Sequence, residues 1–229
     1  MSADSERMRQ MTLQLPHRPA LGREDFIVTP SNQEAVTWID AWPKWPSVGL
    51  VLYGPKASGK THLSCVWQAK SQAVRVEEGQ LTNAFLTSWR ETGRCLVVES
   101  AERIRDDQLL FHLHNICQEQ GLSILLIAQQ APSLWPVELA DWRSRLLALP
   151  AAAIQPPDDL LLTAVIQKLF SDRQIRVEPN VIDYLVQRLE RSFAAAQKAV
   201  EALDAAALTT KRTITTALVR EVLFPGAES

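Results

Sequence analysis

No stretch of this 229-residue chain is long and apolar enough to cross a bilayer. The longest aliphatic runs, such as Ile124 to Ile127 and Leu160 to Leu162, fall far short of the ~20 residues a spanning helix needs. An excess of one charge is also missing. Lys and Arg total 24 against 26 for Asp and Glu, a formal net charge of -2, so no global field draws nucleic acid or an anionic membrane to the molecule. Any phosphate binding must therefore be local. Cysteine is scarce: Cys65, Cys95 and Cys117 have no paired spacing that would suggest a zinc knuckle or a disulfide framework, and all three are expected as buried small hydrophobes. The N-terminus, MSADSERMRQMTLQL, lacks the continuous apolar centre of a secretory signal, which leads to the expectation of a cytoplasmic protein. Internal repeats and low-complexity tracts are absent too.

What remains is ordinary globular composition, 46% hydrophobic and 22% charged, in a length suited to one large domain or a domain with a small companion. The first fifteen or so residues carry no period long enough to fold alone and precede the Pro-punctuated Pro16-His-Arg-Pro19, so they read as a mobile tail. Ser31 or Asn32 can cap a helix through Ala35, Val36 and Ile39, which Pro43 and Pro46 then end. Beyond it, short apolar strands at 48–53, 74–76, 95–99, 123–128 and within 148–154 alternate with helical segments at 60–70, 81–90 and 107–118. That alternation predicts a parallel sheet, hence an α/β fold. After Pro156-Pro157, four apolar-periodic stretches near 159–170, 178–189, 193–208 and 215–223 predict a small helical bundle.

One segment carries chemistry by itself. Gly54-Pro55-Lys56-Ala57-Ser58-Gly59-Lys60-Thr61 fits G-x-x-x-x-G-K-[ST] in full, between a predicted strand and a predicted helix. The glycines let successive N–H groups face one anion while the following helix aims its positive end at the same place. Lys60 is expected on the β and γ phosphates, and Thr61 on Mg²⁺. Glu99 ends the apolar strand Leu96-Val-Val98 and is the second candidate for the metal side. A solvated strand-end residue is the plainer alternative for it. The position after it, where an acid would orient the attacking water, is Ser100, and the spacing does not place Glu102. Nucleotide binding is thus better supported than autonomous hydrolysis.

Phe26-Ile-Val28-Thr-Pro-Ser-Asn32, the loop 54–61 with His62-Leu63, and the helical C-terminal part together resemble the DnaA-related AAA+ proteins. The words Pro16-His-Arg-Pro-Ala-Leu-Gly-Arg-Glu-Asp-Phe26 and Trp42-Pro-Lys-Trp-Pro46 are similar to the regulatory, Hda-type branch of that family in its alphaproteobacterial form, and the likeness covers essentially the whole chain. The resemblance implies a tail of residues 1–19, an AAA+ P-loop base of residues 20–156 and an all-α lid of residues 157–229, with ADP or ATP between base and lid. It also implies that Phe26, Val28 and Asn32 lie beside the adenine and His62 beside the loop. Initiators of this family carry a C-terminal DNA-binding domain that has no counterpart before Ser229, so sequence-specific binding to duplex DNA is not expected.

Gln10-Met-Thr-Leu13-Gln-Leu15 resembles the peptide with which the regulatory branch attaches to the β sliding clamp of the replicative polymerase. An extended tail can sink Leu13 and Leu15 into an apolar groove while Gln10 makes directional hydrogen bonds; packing on the protein's own surface is the alternative. Asp141-Trp-Arg143-Ser-Arg145-Leu146 occupies the place of the family's arginine-finger segment, which implies that Arg145 acts in trans on ATP bound by DnaA, with Arg143 as the fallback. The alternative is a surface arginine paired with Asp141 or Glu138. Two departures weaken the chain's own catalysis. Ala194 stands where the lid arginine of the family is expected, with Arg191 one helical turn earlier, and the strand end at Ala128 continues as Gln129-Gln130. The resemblance therefore implies a clamp-tethered regulator that promotes hydrolysis by DnaA, and a homodimer stays open. An active ATPase that remodels a replication protein and a DNA-binding relative are the competing readings.

Overall fold

The computed structural model describes residues 27–225. Gln10, Leu13, Leu15 and Phe26 lie outside the described residues. Five strands, β1 (Gly49–Tyr53), β2 (Val74–Val76), β3 (Leu96–Val98), β4 (Ile124–Ala128) and β5 (Ala151–Ala153), form one sheet in the order β2-β3-β4-β1-β5. Every pairing is parallel, with Gly49 opposite Ile124 and Val51 opposite Ala151. Because all strands run the same way, their C-terminal ends share one edge. Gly54, Glu99, Gln129 and Ile154 all leave the sheet there, the edge at which open α/β sheets bind ligands.

Helices α1 (Gln33–Ala41), α2 (Lys60–Ser71), α3 (Asn83–Trp89), α4 (Asp107–Gln120) and α5 (Ala140–Ala148) cover the two faces. The period-two alternation of each strand feeds two cores. Leu50, Leu52, Val97, Leu125 and Ile127 meet Ile39, Leu63 and Trp67 on one face, while Val51, Val98 and Leu126 meet Leu86, Leu110, Leu113 and Trp142 on the other. Within the first core Trp67 stacks on Trp45 and takes Trp42 at its edge. A third core is built by α6 (Asp159–Asp172), α7 (Pro179–Val186), α8 (Phe193–Thr210) and α9 (Thr216–Leu223) with Ile214 of the connection before α9, and centres on Leu162, Ile166, Phe170, Leu185, Val200, Leu203 and Leu218. Asp158, Ser192 and Thr215 each cap a helix of this bundle by accepting from the third amide of the first turn.

The structure departs from the sequence reading in three places. Residues 140–148 form α5, which the sequence did not signal, because only Trp142 and Leu146 of that helix are buried, too few for a visible stripe. The last strand, Ala151–Ala153, follows α5 and lies within the expected 148–154. Asn32 stands in the N-cap position of α1 but does not cap it: its Oδ1 accepts from the Thr29 N–H, and its Nδ2 donates to the Ile27 carbonyl. Finally, Cys95 and Cys117 are buried as expected, whereas Cys65 is only half-buried.

Candidate functional site

The phosphate loop starts where β1 ends. A Cβ on Gly54 would stand 2.1 Å from the Ile154 carbonyl oxygen, so only glycine permits the loop to leave the sheet against the end of β5. Ala57 and Gly59 take left-handed backbone, φ 57° and 101°, which curls the segment into a cradle. Pro55, Lys56 and Ala57 are exposed. Gly59 precedes α2 and offers no side chain, so the first amides of that helix have no side-chain cap and remain open to an anion. Lys60 folds back over the cradle, its Nζ donating to the carbonyls of Gly54 at 2.7 Å and Pro55 at 2.6 Å. Burial pulls its pKa down, and Glu102 and Glu99 pull it partly back up. Ser58 Oγ is buried with no partner among the described residues. Thr61 is exposed at the first turn of α2 and His62 is half-buried.

The acidic wall lies at the end of β3. Glu99 is not solvated there: its Oε1 receives a hydrogen bond from Nη1 of Arg75, a residue of β2. Burial pushes the Glu99 carboxyl above the usual carboxylate range, with Arg75 opposing that shift. Ser100 follows in left-handed backbone and starts the short turn Ala101–Arg103. That turn swings Glu102 inward, where its Oε1 accepts from the Gln129 N–H at 3.1 Å, tying the acidic wall to the end of β4. Sequence reasoning found neither Arg75 nor the orientation of Glu102. The available signal was a lone charge in the strand Val74-Arg75-Val76, but nothing local says which acid it meets.

The lid closes the opposite side. Phe193 opens α8 with its N–H 3.4 Å from the Ala57 carbonyl. Arg191, the candidate substitute for the missing lid arginine, is tied to Asp159 at 2.8 Å, and Ala194 is exposed. At the N-terminal border, Val28 is exposed and Asn32 is buried in the turn it braces. Ser31 accepts from the Gln155 N–H, which joins this turn to the segment after β5.

Arg145 lies apart from this cradle, on α5. Its Nη1 reaches Gln118 Oε1 at 3.1 Å and His114 Nδ1 at 3.4 Å, and its guanidinium lies over Phe111, all three on α4. The side chain is half-buried, and among the described residues it pairs with neither Asp141 nor Glu138. Burial lowers the pKa of His114 and the Arg145 charge adds to that, so His114 stays neutral and accepts from the guanidinium at neutral pH. Arg143 donates instead to the Val137 carbonyl. Asp107 of α4 accepts from the N–H groups of Glu138 and Leu139 and so sets the start of α5, the helix that carries both arginines.

Among known proteins, the family model described as Hda, lid domain, matches residues 159–223. The chromosomal replication initiator protein DnaA of Thermomicrobium roseum is 26% identical over 229 residues, covering 89% of this chain and 49% of its own length. The chain thus spans about half the length of the curated relatives it matches. Domain III of the Thermotoga maritima replication initiator DnaA superposes with a TM-score of 0.76 at 19% identity, covering 91% of this chain and 98% of that one. AMPPCP-bound DnaA from Aquifex aeolicus superposes with a TM-score of 0.67 at 17% identity, covering 83% and 66%. The parallel five-stranded sheet with its helical appendage is the fold of these solved neighbours, and the chain is similar to DnaA-related AAA+ proteins over most of its length, with residues 159–223 matching an Hda-type lid.

Proposed function

We propose that this chain is a cytoplasmic regulator of replication initiation that holds ADP or ATP as a structural ligand and accelerates hydrolysis of the ATP bound by DnaA. The observation that carries this reading is the contrast between its own cleft and Arg145. In the cleft the strand-end acid Glu99 is engaged by Arg75, Ser100 replaces the second acid, and Arg191 is engaged by Asp159. A serine cannot accept the proton of an attacking water at neutral pH, so the chain retains nucleotide without cutting it efficiently. Among the described residues Arg145 meets no carboxylate, and it is held against α4 only by hydrogen bonds from one nitrogen, Nη1, and by the Phe111 ring. Exchanging the Gln118 and His114 contacts for the γ-phosphate of DnaA releases only two hydrogen bonds, one of them long. A guanidinium supplied in this way stabilises the charge spreading over the transferring phosphoryl oxygens and is worth about 10³ to 10⁵ in rate.

In this reading residues 1–19 are the tether: Leu13 and Leu15 fill an apolar pocket of the β sliding clamp while Gln10 makes the directed hydrogen bonds. Residues 20–156 are the base and residues 157–229 the lid, with Val28 and Asn32 bordering the adenine beside Phe26. A reconstituted assay with DnaA, ATP, clamp and DNA tests the proposal. The wild-type chain accelerates hydrolysis, Arg145→Ala keeps nucleotide and clamp binding but does not accelerate, and Gln10→Ala with Leu13→Ala loses clamp capture. Unchanged acceleration by Arg145→Ala overturns the finger assignment. Turnover of about 1 s⁻¹ by the chain alone, the low end of typical enzymes, overturns the regulator reading in favour of an active remodelling ATPase.

A further inference from the structure

Arg75 is the only charged residue of β2, and its guanidinium is fastened on two sides. On one side Nη2 donates to Ser64 Oγ at 2.9 Å and lies 3.5 Å from Cys65 Sγ, and Nε donates to Gln68 Oε1 at 3.1 Å. On the other side Nη1 donates to Glu99 Oε1. All three nitrogens are engaged, and the side chains of Arg75 and Glu99 are only 22% and 14% exposed. Thr61, Ser64/Cys65 and Gln68 recur along α2 at i, i+3/i+4 and i+7, so they form one stripe of the helix. The stripe begins with the hydroxyl expected to hold Mg²⁺ and continues as the anchor of an arginine that occupies the carboxylate expected to hold it.

The residues present therefore do not fit the ion. Mg²⁺ demands a near-octahedral shell of oxygens at about 2.0–2.1 Å and gives up its waters reluctantly. A dication brought to Glu99 meets a fixed, permanently charged guanidinium on the same carboxylate, in a half-buried place where repulsion is poorly screened. We propose that Arg75 stands in for the divalent cation at the acidic wall of the cleft, so that the chain binds adenine nucleotide without Mg²⁺. This rests on the nucleotide-binding reading of the loop 54–61 and goes beyond it. The guanidinium neutralises Glu99, which would otherwise repel the phosphates, and it adds no metal-bound water to attack them. A nucleotide held in this way is retained rather than consumed.

Titration calorimetry of the purified full chain with ADP, once in excess EDTA and once in excess Mg²⁺, tests the proposal. The expected wild-type affinities agree within about twofold, while Arg75→Gln binds ADP about tenfold more weakly in EDTA than in Mg²⁺. Loss of wild-type binding by about tenfold or more on chelation overturns the inference and leaves the nucleotide reading intact, as does an Arg75→Gln protein indifferent to the ion. Absence of ADP binding in both buffers overturns the nucleotide reading itself, and the inference with it. Should Arg75→Gln fail to give a cooperative melting transition, paramagnetic resonance of Mn²⁺ added to the wild-type chain with ADP decides. A spectrum equal to that of Mn²⁺ with ADP alone supports the proposal, and a protein-dependent Mn²⁺ signal overturns it.

Discussion

The ring of Phe193 rests on Gly59: a Cβ added to that glycine would lie 3.0 Å from Phe193 Cε2. The first residue of the longest lid helix therefore touches the last glycine of the phosphate loop, and its N–H approaches the Ala57 carbonyl in the same loop. Phe193 thus joins the helical bundle to the cradle through both its ring and its N–H.

That contact makes Phe193 a latch. Phe193→Ala should accelerate both association and dissociation of a fluorescent ADP analogue, each by about tenfold, with little change in affinity. Stopped-flow measurement checks this, and unchanged rates would remove the latch role. Gly59→Ala should do more damage, because φ 101° is strained for any L side chain whatever the space, at about 1–2 kcal/mol, and the new methyl also presses on the ring.

Two other glycines make opposite predictions. Gly54→Ala places a methyl 2.1 Å from the Ile154 carbonyl oxygen, a backbone atom that cannot step aside, so the end of β5 must move and nucleotide binding should be lost along with several °C of melting temperature. Gly79 has nothing within 4 Å of its Cβ position, so Gly79→Ala should be neutral or raise stability by about 0.4–1 kcal/mol through the unfolded chain. Thermal denaturation of the two variants side by side decides whether close approach or mere glycine content matters.

His114 links stability to pH. Its folded pKa lies below the ordinary 6.5, first because of burial and then because of Arg145, while a hydrogen bond with Asn115 opposes the shift. Between the folded value and 6.5 the unfolded chain binds the extra proton, so stability rises with pH there. The contribution is complete above 6.5 and is lost as pH falls through the window below it. Urea midpoints at about pH 7 and about pH 5 should differ less in His114→Gln than in the wild type. An equal difference in both proteins would mean that other groups govern the acid limb.

The three cysteines should separate by reactivity. Burial pushes the Cys117 thiol up, with Cys95 adding to the shift, and both side chains are enclosed, whereas Cys65 is half-buried. Iodoacetamide should modify Cys65 in the native chain and all three residues only after unfolding, as read by peptide mass. Modification of Cys117 in the folded protein would contradict the packing of α4 on the sheet.

The sheet was largely legible because period-two and period-3.6 patterns are local. The strand at Val74–Val76 coincides with its reading, the remaining strands lie within theirs, and the four lid helices fall where the apolar stripes fall. Helix α5 escaped because its buried face is reduced to Trp142 and Leu146, and a helix held by two anchors and by Asp107 on a neighbouring helix leaves no period to count. Asn32 misled for a related reason. An Asn before a helix signals a cap, yet its amide found the Thr29 N–H and the Ile27 carbonyl, which equally satisfy it.

By itself the sequence determined the strand-loop-helix from Gly49 to Ser71 and the glycines that curl it, because turn chemistry, helix start and Lys60 all lie within a dozen neighbouring positions. Only the tertiary structure decided what those groups face. Arg75 meets Glu99 across 24 positions and Arg145 meets His114 across 31, and Phe193 comes to Gly59 from another core altogether. The reason is physical: a side chain's charge and length are written in one residue, but the partner that neutralises it is chosen by which strands and helices pack side by side, and that choice is made by buried apolar surface spread over the whole chain.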